Sequence, residues 1–399
     1  MSPSPDGRVR SNLLRERSEQ AVLEVVFREG PITRPEIAAR TNLSKPTVSA
    51  VVGRLEKADL VHATGERHGR RGRKPMAYVV SDRAGFVVGV DVGGANLRAG
   101  AADLYGELIC ERQEPTSTGG ARAVGRQMLE MVNDVVRSAE PRHQRLLAVG
   151  ISTPGVVDQR TRVVTSLAYN VSPDGGFDPL GVISRRYDVP VLVDNNINLA
   201  AVGEKWSGLA QRVSTFAYVS IGAGVGMGVV IDDEVVRGAH GAAGEICYLP
   251  VGPDPFDERH RLHGGLEDEI GAAAIVAAWP EADGPAPASA EEVFERARAG
   301  HQTARRIVDG VARHIGVAIA TVCAVIDPEL VVLGGGIGSN PLLLAPVRAT
   351  AAALFPLTVR IETSMLGEKA ALQGATAVAL REARRQLFST GRRGSPVAA

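Results

Sequence analysis

The sequence is short of the features that would place it outside the cell or across a membrane. Only three cysteines occur in 399 residues, Cys110, Cys247 and Cys323. They lie far apart with no C-x-x-C pair, so neither a disulfide framework nor a cysteine-rich zinc site is indicated. No run of roughly 18 apolar residues occurs, which argues against a membrane-spanning helix. The opening MSPSPDGRVRSNLLRERSEQ lacks an apolar stretch before a small-residue cleavage site, so it does not read as a secretory signal. A cytoplasmic protein is expected. Net charge is also missing, with 45 basic against 45 acidic residues. That balance hides an asymmetry: residues 1–80 carry 15 Lys and Arg against 9 Asp and Glu, and the remainder carries 30 against 36. A basic N-terminal part on an acidic body suggests that the first part meets a polyanion.

What is present in that basic part is helical. SEQAVLEVVFREG spaces Ala21, Val22, Val25 and Val26 as one helix face and stops at Gly30. In TRPEIAART, Thr33 and Glu36 have capping-box spacing and predict a short helix. TNLS makes a turn, Ser44 caps the next helix, and Val48, Val51, Val52 and Leu55 form its apolar face. Two short helices around a tight turn form a helix-turn-helix, whose second helix can enter a major groove. Its exposed early residues Lys45, Thr47, Ser49 and Ala50 can meet phosphates and base edges. VHAT and MAYVV then read as two strands of a winged hairpin. The loop between them, GERHGRRGRKP, holds Arg67, Arg70, Arg71, Arg73 and Lys74 and suits a phosphate backbone or a narrow minor groove. A solvated interdomain linker, or an interaction module that binds no DNA, are the competing readings.

From about residue 86 the pattern changes to strands that run into glycine turns: DVGGANLRAG, IGAGVGMGVVIDD and LVVLGGGIGSN. Such turns let backbone N–H groups approach phosphate oxygens closely. Helical patterns at 120–139, 197–206, 268–279 and 302–326 lie between the strands, which suggests a nucleotide cleft between two α/β lobes. The apolar segment 302–326 is expected to be buried between lobes or protomers.

With GISTPGVVD, LVDNNINLAAVGE and RGAHGAAGE, these segments follow one another in an order that resembles the ROK family of repressors and sugar kinases, over roughly residues 12–380. The resemblance implies a winged helix-turn-helix (residues 1–85), then a two-lobed actin-like, ribonuclease-H-like α/β domain (86–385), with a disordered tail (386–399). Disorder is also expected for the first ten residues. Because winged-helix repressors usually bind two half-sites, a homodimer or homotetramer is expected.

Individual positions depart from the kinase pattern. Where kinases of this family resemble DxGGTxxR and IGTGxGxG, this chain has Ala95 and Ala223. A methyl group cannot donate to a phosphate oxygen. Gly93, Gly94, Gly222, Gly224, Gly334, Gly335 and Gly336 remain as vestigial nucleotide turns. Where the family resembles ENDxN, with the Asp as general base, the chain reads DNNIN and places Asn196. An amide accepts no proton at neutral pH, and a positioned base is worth ~10²–10⁴-fold. Asp194, two residues upstream on the same strand face, is a conceivable displaced base. The resemblance carries sugar contacts to Asn170, Asn195, Asn196, Glu245 and Glu267, with Tyr248 at a family His position. It also implies a structural zinc, whose ligand positions here become Tyr248, Glu258, His260 and Gly265, a poor set. Cys247, His260 and His263 are the alternative ligands.

The expected protein is a DNA-binding transcriptional regulator, most simply a repressor, with a double-stranded operator as partner and a sugar or phosphosugar as effector. No catalytic residue and no cofactor are expected. Two rivals stand: an ATP-dependent sugar kinase with a DNA-binding arm, and a DNA-binding dimer that answers to no ligand.

Overall fold

A computed structural model describes residues 5–66, 76–157, 164–166, 177–252 and 254–388. The chain opens with helix α1 (Pro5–Glu29), the two-residue strand β1 (Ile32–Thr33), α2 (Arg34–Thr41) and α3 (Lys45–Lys57). Strands β2 (Val61–Glu66) and β3 (Met76–Val80) complete a three-stranded sheet of order β1-β3-β2. The local chemistry explains these elements. At α2 the Glu36 carboxylate accepts from the Thr33 N–H at 2.8 Å and from its hydroxyl at 2.7 Å, which anchors the first turn. At α3 the Ser44 hydroxyl accepts from the Thr47 N–H at 3.3 Å, and Val48, Val51, Val52 and Leu55 are all buried. Among the described residues of α1, Val22, Leu23 and Val26 are buried, so of the expected face Ala21, Val22, Val25 and Val26 two are buried, two are half-buried, and Leu23 joins them.

The body has two lobes on one plan. In the first, β4 (Phe86–Val92), β5 (Asn96–Asp103) and β6 (Leu108–Pro115) form an antiparallel meander, followed by α4 (Ala121–His143) and β7 (Leu146–Thr153). Two short strands, β8 (Val156–Val157) and β9 (Val164–Ser166), pair with each other. Helix α5 (Pro179–Ser184) leads to β10 (Val191–Asn195), and the sheet order is β10-β7-β4-β5-β6 with β7 and β10 parallel. Helix α6 (Asn196–Ser207) crosses to the second lobe.

There the meander is β11 (Phe216–Ile221), β12 (Val225–Ile231) and β13 (Glu234–Val236). Helices α7 (His260–His263), α8 (Glu267–Ile270), α9 (Ala272–Ala277), α10 (Ala290–Arg298) and α11 (Gln302–Ile326) precede β14 (Leu330–Gly334), α12 (Gly335–Gly338), α13 (Pro341–Leu354) and β15 (Arg360–Thr363). The order β13-β12-β11-β14-β15 repeats the first lobe's arrangement. Helix α14 (Ala370–Phe388) returns to the first lobe and packs on α6, β4 and β7. This is a winged helix followed by a two-lobed, sugar-kinase-like α/β domain.

The crossing of α6 and α14 is closed by glycine. A Cβ on Gly374 would stand 1.7 Å from the Leu199 carbonyl oxygen, and one on Gly203 would stand 2.2 Å from that of Ala370. The two backbones therefore touch. The winged helix is not a separate body: Val26, Val52 and Val80 share one apolar cluster with Val87, Ala148, Ala379 and Leu380.

Several expectations change. The chain is already helical from Pro5, because once Val22, Leu23 and Val26 are fixed by packing, extending a formed helix costs little. Helix α14 runs to Phe388, past the expected boundary at 385, and residues 389–399 lie outside the described residues. The 268–279 segment is two helices broken at Gly271. Helix α11 lies within the second lobe, against α10 and α13, not between lobes. It is the one described helix with the length and hydropathy to cross a membrane, and its apolar residues Val308, Val311, Ile315 and Ile319 are buried in that lobe's core.

Candidate functional site

Between the lobes lies a cleft of about 1060 Å³. It gathers Asn195, Asn196, Glu245, Tyr248 and Glu267, five positions separated by up to seventy-odd residues, onto one concave surface. Each is placed by a distinct backbone device. Asn195 caps α6: its side-chain oxygen accepts from the N–H groups of Ile197 (2.8 Å) and Asn198 (3.2 Å), and its amide donates to the Gly155 carbonyl at 2.9 Å. Its first task is therefore to hold the helix start. Asn196 begins α6, and among the described residues its amide has no hydrogen-bond partner.

Glu245 is presented by the loop after β13. Gly244 has φ +91, and a Cβ there would stand 1.8 Å from the Met227 carbonyl oxygen, so only glycine lets this loop lie against β12. The Met227 N–H donates to the Gly244 carbonyl at 2.8 Å and locks it. Burial pushes the Glu245 carboxyl above its ordinary range, partly offset by the Cys247 thiol, which donates to it at 3.7 Å. Glu267, at the start of α8, accepts from the Val225 N–H at 2.9 Å, and burial raises its carboxyl too. It thus touches the end of the second glycine turn. Tyr248 is 55% exposed at the cleft mouth.

Asp194 is held away from the cleft. Strand β10 ends at Asn195 and Asn196 opens α6, so strand alternation no longer relates residues 194 and 196. One Asp194 oxygen accepts from Arg237 Nε at 2.9 Å and Nη2 at 2.6 Å; the other accepts from the Asn195 N–H at 2.8 Å. Asp194 is buried and does not line the cleft.

Among the glycines, Gly94, Gly222 and Gly224 line the cleft beside Ala223. Gly93 donates to the Asn96 carbonyl at 3.0 Å inside its own turn, and Gly334 and Gly335 sit at the β14–α12 junction outside that lining. Just before the first turn, Asp91 is buried. It accepts from the Ser152 hydroxyl at 2.7 Å and faces Arg98 at 3.6 Å. Burial pushes its carboxyl up to about 6, against the opposing pull of Ser152 and Arg98. A folded-state value above the unfolded one means that this group favours folding at low pH, and that the benefit disappears as pH rises through about 6. An Asp91→Asn variant keeps the bond from Ser152 and loses the titration. Its stability relative to the parent is expected to improve by about 2 kcal/mol between pH 4 and pH 8, as read by urea unfolding at each pH.

The donors present do not fit a structural zinc. His260 is held through both ring nitrogens, Nδ1 to Asp268 at 2.7 Å and Nε2 to the Asp254 carbonyl at 3.0 Å. Burial pushes the Cys247 thiol up to about 12, far from a ready thiolate ligand. Gly265 offers no donor, and no three His, Cys, Asp or Glu side chains among the described residues group as metal ligands.

At the start of α3, Lys45 and Ser49 are exposed and Thr47 is half-buried. Thr47 also exchanges a hydrogen bond with the Ser44 hydroxyl at 2.7 Å, which ties it to the cap. Asn170 and the wing residues Arg67, Arg70, Arg71, Arg73 and Lys74 lie outside the described residues.

Spacing did not single out Arg237, although it begins the quoted RGAHGAAGE. It also missed Glu204, a fully buried acid that bonds the Ser364 hydroxyl and accepts from the Leu209 N–H at 2.9 Å, joining α6 to the segment before α14. An acid following the apolar run at residues 199–202 of α6 was the available signal.

Residues 87–382 match the family model described as the ROK family, and residues 17–72 match that of the MarR family. The xylose repressor of Caldicellulosiruptor bescii is 26% identical over 340 residues, which cover 81% of this chain and 84% of that protein. A solved ROK family transcriptional regulator, a homolog of the E. coli MLC protein, shares the fold over 94% of this chain and 98% of its own, with a TM-score of 0.73 at 22% identity. A ROK family glucokinase from Streptomyces griseus, solved with glucose and AMPPNP, matches 74% of this chain and 100% of its own, with a TM-score of 0.61 at 26% identity.

Proposed function

Because the chain belongs to the ROK family and carries a MarR-type winged helix ahead of the ROK domain, we propose that it is a sugar-responsive transcriptional repressor without phosphotransfer activity. It works as a homodimer on a double-stranded operator in the cytoplasm. Lys45, Thr47 and Ser49 of α3 meet the major groove, and the basic residues 67–74 lie along the phosphates. The effector binds between the lobes, where the Asn196 amide and the Glu245 and Glu267 carboxylates pair with vicinal hydroxyls.

One observation carries this reading. The cleft retains sugar-type hydrogen-bonding groups, while the position where the kinases carry their base is an amide, Asn196, and Asp194 is engaged by Arg237 outside the lining. The lining favours an uncharged sugar over a phosphosugar or a nucleotide. Asp254, Asp257, Glu245, Glu267, Asp268 and Glu269 all face it, while Arg259 is paired with Asp257 and His260 with Asp268.

The test is fluorescence anisotropy on the DNA upstream of the protein's own gene, with D-xylose, D-glucose, N-acetylglucosamine, their phosphates and Mg-ATP titrated at fixed salt. One unphosphorylated sugar is expected to shift DNA affinity while ATP has no effect. ADP formation with any of these sugars would overturn the loss of phosphotransfer. A Lys45→Ala variant is expected to weaken binding on all sequences alike and to flatten the log–log salt dependence by about one unit.

A further inference from the structure

Among the described residues, none from recognition helix α3 lines the cleft, and one side chain touches an element leading to each. Helix α6 starts in the cleft at Asn196 and carries Trp206 near its far end. The Arg384 guanidinium of α14 stands 5.1 Å from the Trp206 ring and 4.9 Å from the Phe27 ring of α1. Its Nε and Nη2 both donate to the Leu104 carbonyl, at 3.0 and 2.7 Å, so the head cannot follow one ring without leaving the other. Phe27 is stacked on Tyr105 at 4.9 Å and tilted against Phe388 at 5.2 Å. From Phe27 the contact continues along α1 to Glu19, which accepts from Arg54 of α3 at 2.5 Å, while Val22 and Val26 pack in one cluster with Val48 and Val52.

Resting on the sensor reading above, we propose that Arg384 is the positioning residue that couples occupancy of the cleft to the placement of recognition helix α3. A ligand that moves the start of α6 moves Trp206 at its other end, because a helix of this length transmits displacement as a rod. Arg384 then shifts its contact with Phe27, and α1 carries the change to α3. The planar guanidinium, unlike an ammonium, can lie against rings on two sides while its edge is hydrogen-bonded. Adjacency alone does not establish coupling, so the discriminating quantity is the ratio of DNA affinities with and without ligand.

The experiment uses the full chain and the duplex from upstream of its own gene, with D-xylose, D-glucose and N-acetylglucosamine as probes. In the parent, the active sugar is expected to change the DNA Kd by roughly 5–150-fold. Arg384→Met and, independently, Phe27→Leu are expected to reduce that ratio to about 2-fold or less while sugar affinity and sugar-free DNA affinity change little. A role confined to packing would lower the melting temperature and weaken both DNA affinities equally, leaving the ratio intact. That result in both variants overturns the proposal.

A second readout uses Trp279→Phe, which leaves Trp206 as the sole tryptophan. DNA alone is expected to shift Trp206 emission, and Arg384→Met to abolish the shift. If DNA binds but no sugar acts, the sensor reading fails and this shift decides the coupling by itself; its absence in the parent overturns the coupling. If no DNA binds, both fall.

Discussion

Glu245→Ala is expected to weaken effector binding by at least about 100-fold and to leave DNA affinity without sugar unchanged. Hydrogen bonds to a charged acceptor contribute about 1.5–3 kcal/mol each, so a carboxylate that takes two sugar hydroxyls accounts for a loss of this size. The loop that presents it is set by Gly244 and the bond from the Met227 N–H, neither of which depends on the carboxylate. The variant should therefore fold normally.

Glu245→Gln keeps the shape and one acceptor, and is expected to lose only about tenfold. The pH dependence separates these effects further. Burial raises the Glu245 carboxyl, so its protonation begins above the ordinary carboxylate range. Sugar affinity of the parent should fall as pH drops through that raised range, because a protonated acid is the weaker acceptor. In Glu245→Gln the part of that fall due to residue 245 should be absent, leaving the contribution of Glu267, which burial also raises. Isothermal titration of the active sugar between pH 4.5 and 8 reads both effects. A parent affinity insensitive to both substitutions would remove Glu245 from the site.

Gly374→Ala is expected to destabilise the protein by at least ~4 kcal/mol, against the usual sign for this change. In a helix interior alanine normally gains close to ~1 kcal/mol over glycine. Here the added Cβ would stand 1.7 Å from the Leu199 carbonyl oxygen, where backbone faces it and no side chain can swing away. Helices α6 and α14 must separate, and the apolar contacts of Leu199 with Ala375 and Val378 separate with them. Gly310→Ala in α11 is the matched control: nothing lies within 4 Å of its Cβ position, so it should gain up to ~1 kcal/mol. Thermal unfolding of the pair should diverge, with a loss of roughly 5 °C or more for position 374 and a small gain for position 310.

Much was legible along the chain because it is local. Ser44 and Glu36 announce the starts of two helices, the valines of α3 announce its buried face, and glycines after strands mark three turns. The amide at position 196 is also local, since it cannot take a proton whatever surrounds it. Other features were not legible because they depend on partners distant in sequence. Asp194 looked available as a base until Arg237, more than forty residues on, was seen to hold it. Asn195 looked like a sugar contact, and the fold gives its amide oxygen to two backbone N–H groups first. The continuous core between winged helix and body needs Leu380 beside Val26, which no periodicity reveals.

The order of elements, the family, the winged helix and the absence of a carboxylate at position 196 could all be read along the chain, because each is a property of residue type and short-range spacing. Which carboxylates face the cleft, the engagement of Asp194 and the contacts of Arg384 with both Trp206 and Phe27 came from the folded arrangement alone. Those depend on where separate segments meet, and that is set by packing in three dimensions, above all by the glycine crossing of α6 and α14.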